Sequence, residues 1–424
     1  MTGGTESLRL RGWHDRAIVG LALMALCSGF GQFGAVAALG DVAKSFGQVT
    51  SGGTPIQQAG LSGTELGVGL AVLRLASLGG LPLSGLADRV GRRITLIASC
   101  AFGLTFTVAA AASPGYWWFV VIFAFGRPLL SATNAVAQVG AAEETAARDR
   151  AKAVALVAAG YGVGSGLTAV IHGLAKSSLG FRGLFVLAVV PLASVFFIRR
   201  WLVEPHRFTV ARAAGGHRVP VFGAVGPAFR RRLLVVTALV FAVSVITGPA
   251  NSFIFVYAQN VLGLSGAVTA AMVVVAGVVG LGGLLAGRWL ADHVGRRPTG
   301  AASMVAMAVA GVFTYSGSRP ALLIGYELGV LAASTFAPAA GTFVNELFPT
   351  SVRASVAGWN IAASVLGAVV GLVAFGAIAQ VGTHFDGLRA AATTFLPVLV
   401  ATVLFLRLPE TKGREPEDLW PQAG

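Results

Sequence analysis

Three charged side chains, Arg74, Arg127 and Glu327, stand inside long apolar runs of this 424-residue chain. An ionised group near the middle of a bilayer costs about 2.5–3.5 kcal/mol, so the three cost roughly 8–10 kcal/mol before any pairing. Such a cost points to a use. A desolvated guanidinium grips a carboxylate or phosphate through two parallel hydrogen bonds, so Arg74 and Arg127 could hold an anionic solute. Glu327 is the one acid well inside an apolar run, which makes it the candidate carrier of a coupled proton. A carboxyl that moves between a dry surrounding and a guanidinium can load and release a proton. A static Arg127–Glu327 pair, neutralising both, is the alternative. Gln32, Asn134, Asn251, Tyr257, Tyr326 and Asn360 lie at comparable depth, beside Phe30, Phe33 and Phe336. They are candidate substrate contacts, or polar contacts between helices. His172 could titrate, or pack as a hydrogen-bonded histidine.

The elements that must position these residues follow from composition. Of the residues, 55% are hydrophobic and 11% charged, against about 25% charged in a soluble domain. Mean hydropathy is +0.78. A soluble enzyme is excluded. Apolar runs near 17–40, 66–87, 94–113, 116–138, 152–175 and 181–199 precede a basic stretch, Arg200 to Arg231. Six more follow near 232–257, 267–290, 299–316, 321–343, 354–379 and 388–407. Each suits a membrane helix of about 20 residues. The expected architecture is an all-α membrane protein of twelve spans: a bundle over 1–199, a linker over 200–231 and a second bundle over 232–424. The 57 glycines suit close helix crossings in lipid.

The net charge of +14 would suggest nucleic acid in a soluble protein. Here the cations alternate with the spans. Of the 31 Lys and Arg, 24 fall in loops on one side, against Lys44, Lys176, Arg182, Arg319 and Arg389 on the other. That is the positive-inside asymmetry. It makes the bilayer, not nucleic acid, the partner and places both termini in the cytoplasm. The first run, Ala17 to Gly40, exceeds a signal-peptide core of 7–15 residues and stays as a span. Cys27 and Cys100 are the only cysteines, too few for a disulfide framework or thiolate metal site. No Asn-x-Ser/Thr sequon occurs, and Arg outnumbers Lys 27 to 4. Both favour a bacterial inner membrane.

The two halves look like tandem copies. Leu86 to Arg93 recurs as Leu290 to Arg297, identical at seven of eight positions. Glu143 and Arg150 are echoed by Glu346 and Arg353, and Glu204 after span six by Glu410 after span twelve. A short basic loop with one aspartate can dock on neighbouring helix ends and act as a latch, or simply fix topology.

At these residues the chain resembles the major facilitator superfamily. Asp88-Arg89-Val90-Gly91-Arg92-Arg93 and Asp292-His293-Val294-Gly295-Arg296-Arg297 are similar to its loop element Asp-(Arg/Lys)-x-Gly-(Arg/Lys)-(Arg/Lys). Gly126-Arg127 resembles its span-four arginine. Glu346 to Ala354 resembles the signature between spans ten and eleven of metabolite–proton symporters, sugar porters and organic-ion transporters, and Pro409 to Gly413 the closing motif of the latter two. Ser84 and Arg288 stand where the family usually has glycine, Gly160 to Thr168 does not meet the antiporter motif, and Glu204 to Arg207 only loosely approximates a sugar-porter motif. The resemblance implies two pseudo-symmetric six-helix bundles that rock around a central cavity lined by spans one, four, seven and ten. It sets Arg127 and Glu327 on facing halves. It gives Asp88, Arg92, Glu143 and Arg150, with Asp292, Arg296, Glu346 and Arg353, a role in holding the cytoplasmic side shut. A monomer with no cofactor is expected. There is no Gly-x-x-x-x-Gly-Lys-(Ser/Thr) loop for ATP and no metal cluster or nucleophile–base set that would make an enzyme. The expected function is proton symport of a small organic anion. Proton-driven drug efflux and a non-transporting receptor of the same fold are the alternatives.

Overall fold

The computed structural model describes residues 11–47, 61–205, 225–381 and 384–413. Within the described residues, eleven helices are long and apolar enough to cross a membrane, from Arg16–Ala37 to Gly387–Arg407. Arg296–Thr314 supplies the ninth of twelve spans. Its 19 residues reach about 28 Å at 1.5 Å per residue, and the arginines at its start dilute its apolar character. The remaining regular structure is small: a two-residue antiparallel pairing, Gln380–Val381 with His384–Phe385, joins spans eleven and twelve. Most of the linker, residues 206–224, lies outside the described residues.

Large apolar side chains such as Phe102, Trp118, Phe125, Leu281, Leu285 and Val400 are more than half exposed. Water would penalise that surface, whereas a bilayer accepts it. Two spans are interrupted. Span two runs Gly63–Ala76, tightens to a 3-10 turn at Ser77–Gly79 and resumes as Gly80–Val90. Span seven, Pro227–Ser252, carries Pro249 and continues through Ile254–Val256 into a π-turn, Tyr257–Val261.

Packing repeats with the sequence. Span one lies on span five and span three on span four, as span seven lies on span eleven and span nine on span ten. The halves meet along two equivalent lines, span two against span eleven and span five against span eight. At both lines a glycine removes the Cβ that would keep the backbones apart. A Cβ on Gly67 would lie 2.5 Å from the Leu372 carbonyl, and one on Gly173 2.4 Å from that of Gly266. Both contacts lie toward the end remote from the basic loops, here called the far end. The inner segment of span two, Gly80–Val90, packs instead on spans three and four of its own half.

Arg288 faces outward, so the family's missing glycine costs no packing there. The close approach passes to Gly287, where a Cβ would lie 2.4 Å from the Thr335 carbonyl.

Candidate functional site

Arg74 and Arg127 line one cavity of about 60 Å³, with Gln32, Phe33, Phe123, Tyr161, Asn251 and Ser252 around them. Arg74 ends the first helical segment of span two, and the Ser77 hydroxyl donates to its carbonyl at 2.5 Å. Arg127 precedes Pro128 within span four; proline cannot donate to the helical ladder, which loosens the backbone beside the guanidinium. Arg127 Nη1 donates to the Gln32 carbonyl at 3.1 Å. Its Nε is buried without a hydrogen-bond partner, a donor open to a ligand. Gln32 is oriented in turn: its amide donates to Ser28 Oγ, and that hydroxyl donates to the Leu130 carbonyl, both at 2.8 Å. No carboxylate is among the cavity's described lining residues.

Asn251, from span seven, brings the second half into this site. It also lines a neighbouring cavity of about 290 Å³, with Thr247, Ser334, Tyr326 and mostly apolar walls. The structure thus gathers Arg74, Arg127, Gln32, Asn251 and Tyr326 around two adjoining spaces. Tyr161 and Ser252 also belong there. Nothing in the apolar pattern distinguishes Tyr161 from a packing tyrosine.

Four expected site residues lie elsewhere. Glu327 does not face Arg127. It lines a separate groove of about 570 Å³ between spans eight and ten, otherwise walled by apolar residues such as Met272, Val275, Ile324 and Leu328. Val275, Ile324 and Leu328 are 49%, 54% and 47% exposed on the lipid side. The reason is helical phase: one residue is a step of about 100°, so Tyr326 turns inward and Glu327 turns toward the groove. Tyr257 is 2% exposed and packs against Tyr315, with ring centroids 4.8 Å apart and planes tilted by 45°. Its hydroxyl accepts from the Gly317 N–H at 2.9 Å, so it pins the far end rather than lining a cavity. Asn134 accepts from Gln138 Nε2 at 3.4 Å, and Asn360 carries a buried, unpartnered Oδ1. Neither lines the two cavities.

The basic end repeats itself. Arg92 pairs with Glu143 at 2.8 Å, and Arg296 pairs with Glu346 at 3.2 Å and with Asp292 at 3.4 Å. Gly91 and Gly295 both turn at φ 127°, a conformation that favours glycine. The echo of Glu204 in Glu410 has a structural cause. Glu204 accepts from the backbone N–H groups of Arg92 and Arg93 at 2.5 and 3.1 Å. Glu410 accepts from those of Arg296 and Arg297, both at 3.0 Å. Each carboxylate closes the N-terminus of the third helix of its own half, Arg92–Ala110 or Arg296–Thr314, where the unpaired N–H groups and dipole favour an anion. Burial alone would raise the Glu410 carboxyl, but N–H donors of Lys412, Arg297, Arg296 and Thr411 outweigh it and hold it below its ordinary range.

Around these clusters, Arg93 Nη2 donates to the Arg199 carbonyl at 3.2 Å and Arg353 Nε to the Phe348 carbonyl at 2.9 Å. Arg89 is exposed, and Arg150 sits in the first turn of span five. The side chain of Asp88 lies outside the described set. Ahead of span one, Arg11 donates to Glu144 at 2.7 Å and to Asp15 at 2.9 Å. The Glu144 bond, opposed by burial and aided by Asp15, holds the Arg11 guanidinium above its ordinary value.

The family model described as Major Facilitator Superfamily matches residues 21–290 and 280–422. A probable 4-methylmuconolactone transporter of Cupriavidus pinatubonensis is 28% identical over 375 residues, 84% of each chain. The cis,cis-muconate transport protein of Acinetobacter baylyi is 24% identical over 359 residues, 80% of this chain and 86% of that one. A solved structure of the xylose transporter XylE from E. coli, in an inward open conformation, has the same fold at a TM-score of 0.73. It is 18% identical and covers 95% of this chain and 99% of that one.

Proposed function

The chain belongs to the major facilitator superfamily and is a transport protein rather than an enzyme; on that premise we propose that it is a proton-coupled symporter for small organic anions. The observation that carries the anion assignment is the presence of Arg74 and Arg127 in one cavity with no carboxylate among its described lining residues; proton coupling is supported by the resemblance to metabolite–proton symporters alone. Two half-buried cations in one cavity call for an anionic partner. At about 60 Å³ the arginine cavity is the smaller of the two adjoining spaces and suits a carboxylate head. The organic body extends past Asn251 into the larger space under Tyr326. A dicarboxylate would neutralise both arginines. Relatives named for 4-methylmuconolactone and cis,cis-muconate support the class. Export of a cationic drug is disfavoured by the same two guanidinium groups.

The positive-inside asymmetry assigns the basic end to the cytoplasm and the far end to the exterior. The glycine contacts at the far end then describe a carrier closed to the outside. Transport follows from rocking the bundles about the arginine cavity. The Arg92–Glu143 and Arg296–Glu346 clusters keep each half rigid during that motion. With the halves rocked the other way, the same loops, including Asp88 and Asp292, hold the cytoplasmic side shut.

Purified protein in liposomes tests the reading with labelled cis,cis-muconate as probe. Accumulation under an inward proton gradient, abolished by a protonophore, is expected. Equilibration without accumulation would remove the proton from the account. Flux of uncharged solutes alone would overturn the anion assignment.

A further inference from the structure

The groove of about 570 Å³ between spans eight and ten has one charged group, Glu327, on its wall. Its other described lining residues are all apolar, among them Met272, Val275 and Val279 of span eight and Leu331 of span ten. The groove faces outward. Ile324 and Leu328 stand two residues either side of Tyr326, a rotation of about 200°, so they turn away from the cavity that Tyr326 lines and are exposed. Glu327 Oε2 is buried without a hydrogen-bond partner. Arg319, which begins span ten, lies eight residues earlier, about 12 Å along the axis at 1.5 Å per residue. It is committed to the Leu262 carbonyl, to which its Nε donates at 3.0 Å. The volume falls within the roughly 300–1,000 Å³ of small-molecule sites, which pair apolar walls with a few polar groups that fix orientation.

We propose that this groove binds a lipophilic amine, a basic nitrogen on an apolar body that enters sideways from the bilayer. The carboxyl selects the head. An amine and a carboxyl make a neutral hydrogen-bonded pair whichever of them holds the proton, so the occupied groove buries no net charge. Hydrocarbon chains offer Oε2 no donor, whereas an amine supplies one. The apolar walls select the body, which covers side chains that stand exposed when the groove is empty. A zwitterionic phospholipid fits less well: its ammonium brings a phosphate, and no lysine, arginine or histidine is among the described lining residues to meet it. A small organic anion is repelled by the same carboxyl. The groove is therefore distinct from the arginine cavity in charge as well as in place, and its assignment does not depend on what the arginines hold.

The test places the full chain in phosphatidylcholine nanodiscs with dodecylamine carrying a photoreactive diazirine on its alkyl chain, and maps the adducts by mass spectrometry. Saturable labelling of Gly266–His293 and Arg319–Leu347 is expected, competed by plain dodecylamine and not by its N-acetyl derivative. Glu327→Gln keeps the shape and loses the charge, and should weaken labelling at least about tenfold. Ala271→Phe fills the groove from an exposed position of span eight while leaving the carboxyl in place, and should have the same effect. A thermal melt like the parent's confirms that each variant is folded. Labelling that fails to saturate, survives both variants, or is competed equally by the N-acetyl derivative overturns the proposal. Protection by added phosphatidylethanolamine would assign the groove to a lipid, and a stable dimer that masks it would assign it to a second copy of the chain; either result overturns the amine.

Discussion

At the basic end the two halves repeat one another nearly atom for atom; at mid-membrane they do not. Arg92–Glu143 and Arg296–Glu346, the turns at Gly91 and Gly295, and the capping carboxylates Glu204 and Glu410 are matched pairs. In the middle, the first half supplies Arg74 and Arg127, while the second supplies Asn251, Tyr326 and a mostly apolar wall. The lesson concerns what duplication preserves. On the proposed reading, loops that brace a moving bundle serve each half alike, whereas one asymmetric solute needs a charged head site on one side and a space for its body on the other.

The largest effect should come from the asymmetric region. A hydrogen bond to a charged group contributes about 1.5–3 kcal/mol, so Arg127→Lys, which loses the planar fork, should weaken carboxylate transport on the order of tenfold to a hundredfold. Counterflow KM with a carboxylate and with its neutral ester checks this. Equal losses for both would mean that the arginine packs rather than binds.

Next in size are the turns. Gly91→Ala and Gly295→Ala force a side chain into φ 127° and should each cost about 1–3 kcal/mol in thermal stability. A large difference between them would break the symmetry claimed for the basic end. Smaller again, Glu204→Gln and Glu410→Gln should each cost about 1 kcal/mol, the usual worth of a helix cap. Because the Glu410 carboxyl is held below its ordinary value, its contribution is present above the unfolded-state pKa of about 4.3 and is lost as pH falls through the lower folded value. The Tm gap between parent and Glu410→Gln should therefore be constant above about pH 5.5 and close on acidification.

The smallest effect is expected at Glu327. Because Glu327 lines the groove between spans eight and ten and not the arginine cavity, Glu327→Gln should leave gradient-driven accumulation unchanged. Lost accumulation would return Glu327 to the coupling role.

The sequence made the fold and the paired loops readable, because apolar length specifies spans and near-identity over Leu86 to Arg93 and Leu290 to Arg297 exposes the repeat. Arg74 and Arg127 were readable for a related reason: a charge in an apolar run is conspicuous at any helical phase. Glu327 shows the limit. Depth follows from counting residues, but facing depends on a rotation of about 100° per residue, and Tyr326 and Glu327 differ by one step. Tyr257 was misplaced because the break after Ser252 and the π-turn reset the phase of span seven. His172 hydrogen-bonds Asp41, 131 residues away on a short helix beyond the apolar run, and no local pattern links them.

The central claim is that two arginines hold a carboxylate, and binding to purified protein tests it most directly. Calorimetric titration with cis,cis-muconate and with its dimethyl ester should show saturable binding of the anion alone, weakened at least about tenfold in Arg74→Lys and in Arg127→Lys. Equal affinity for the ester, or muconate affinity unchanged in both variants, would contradict it.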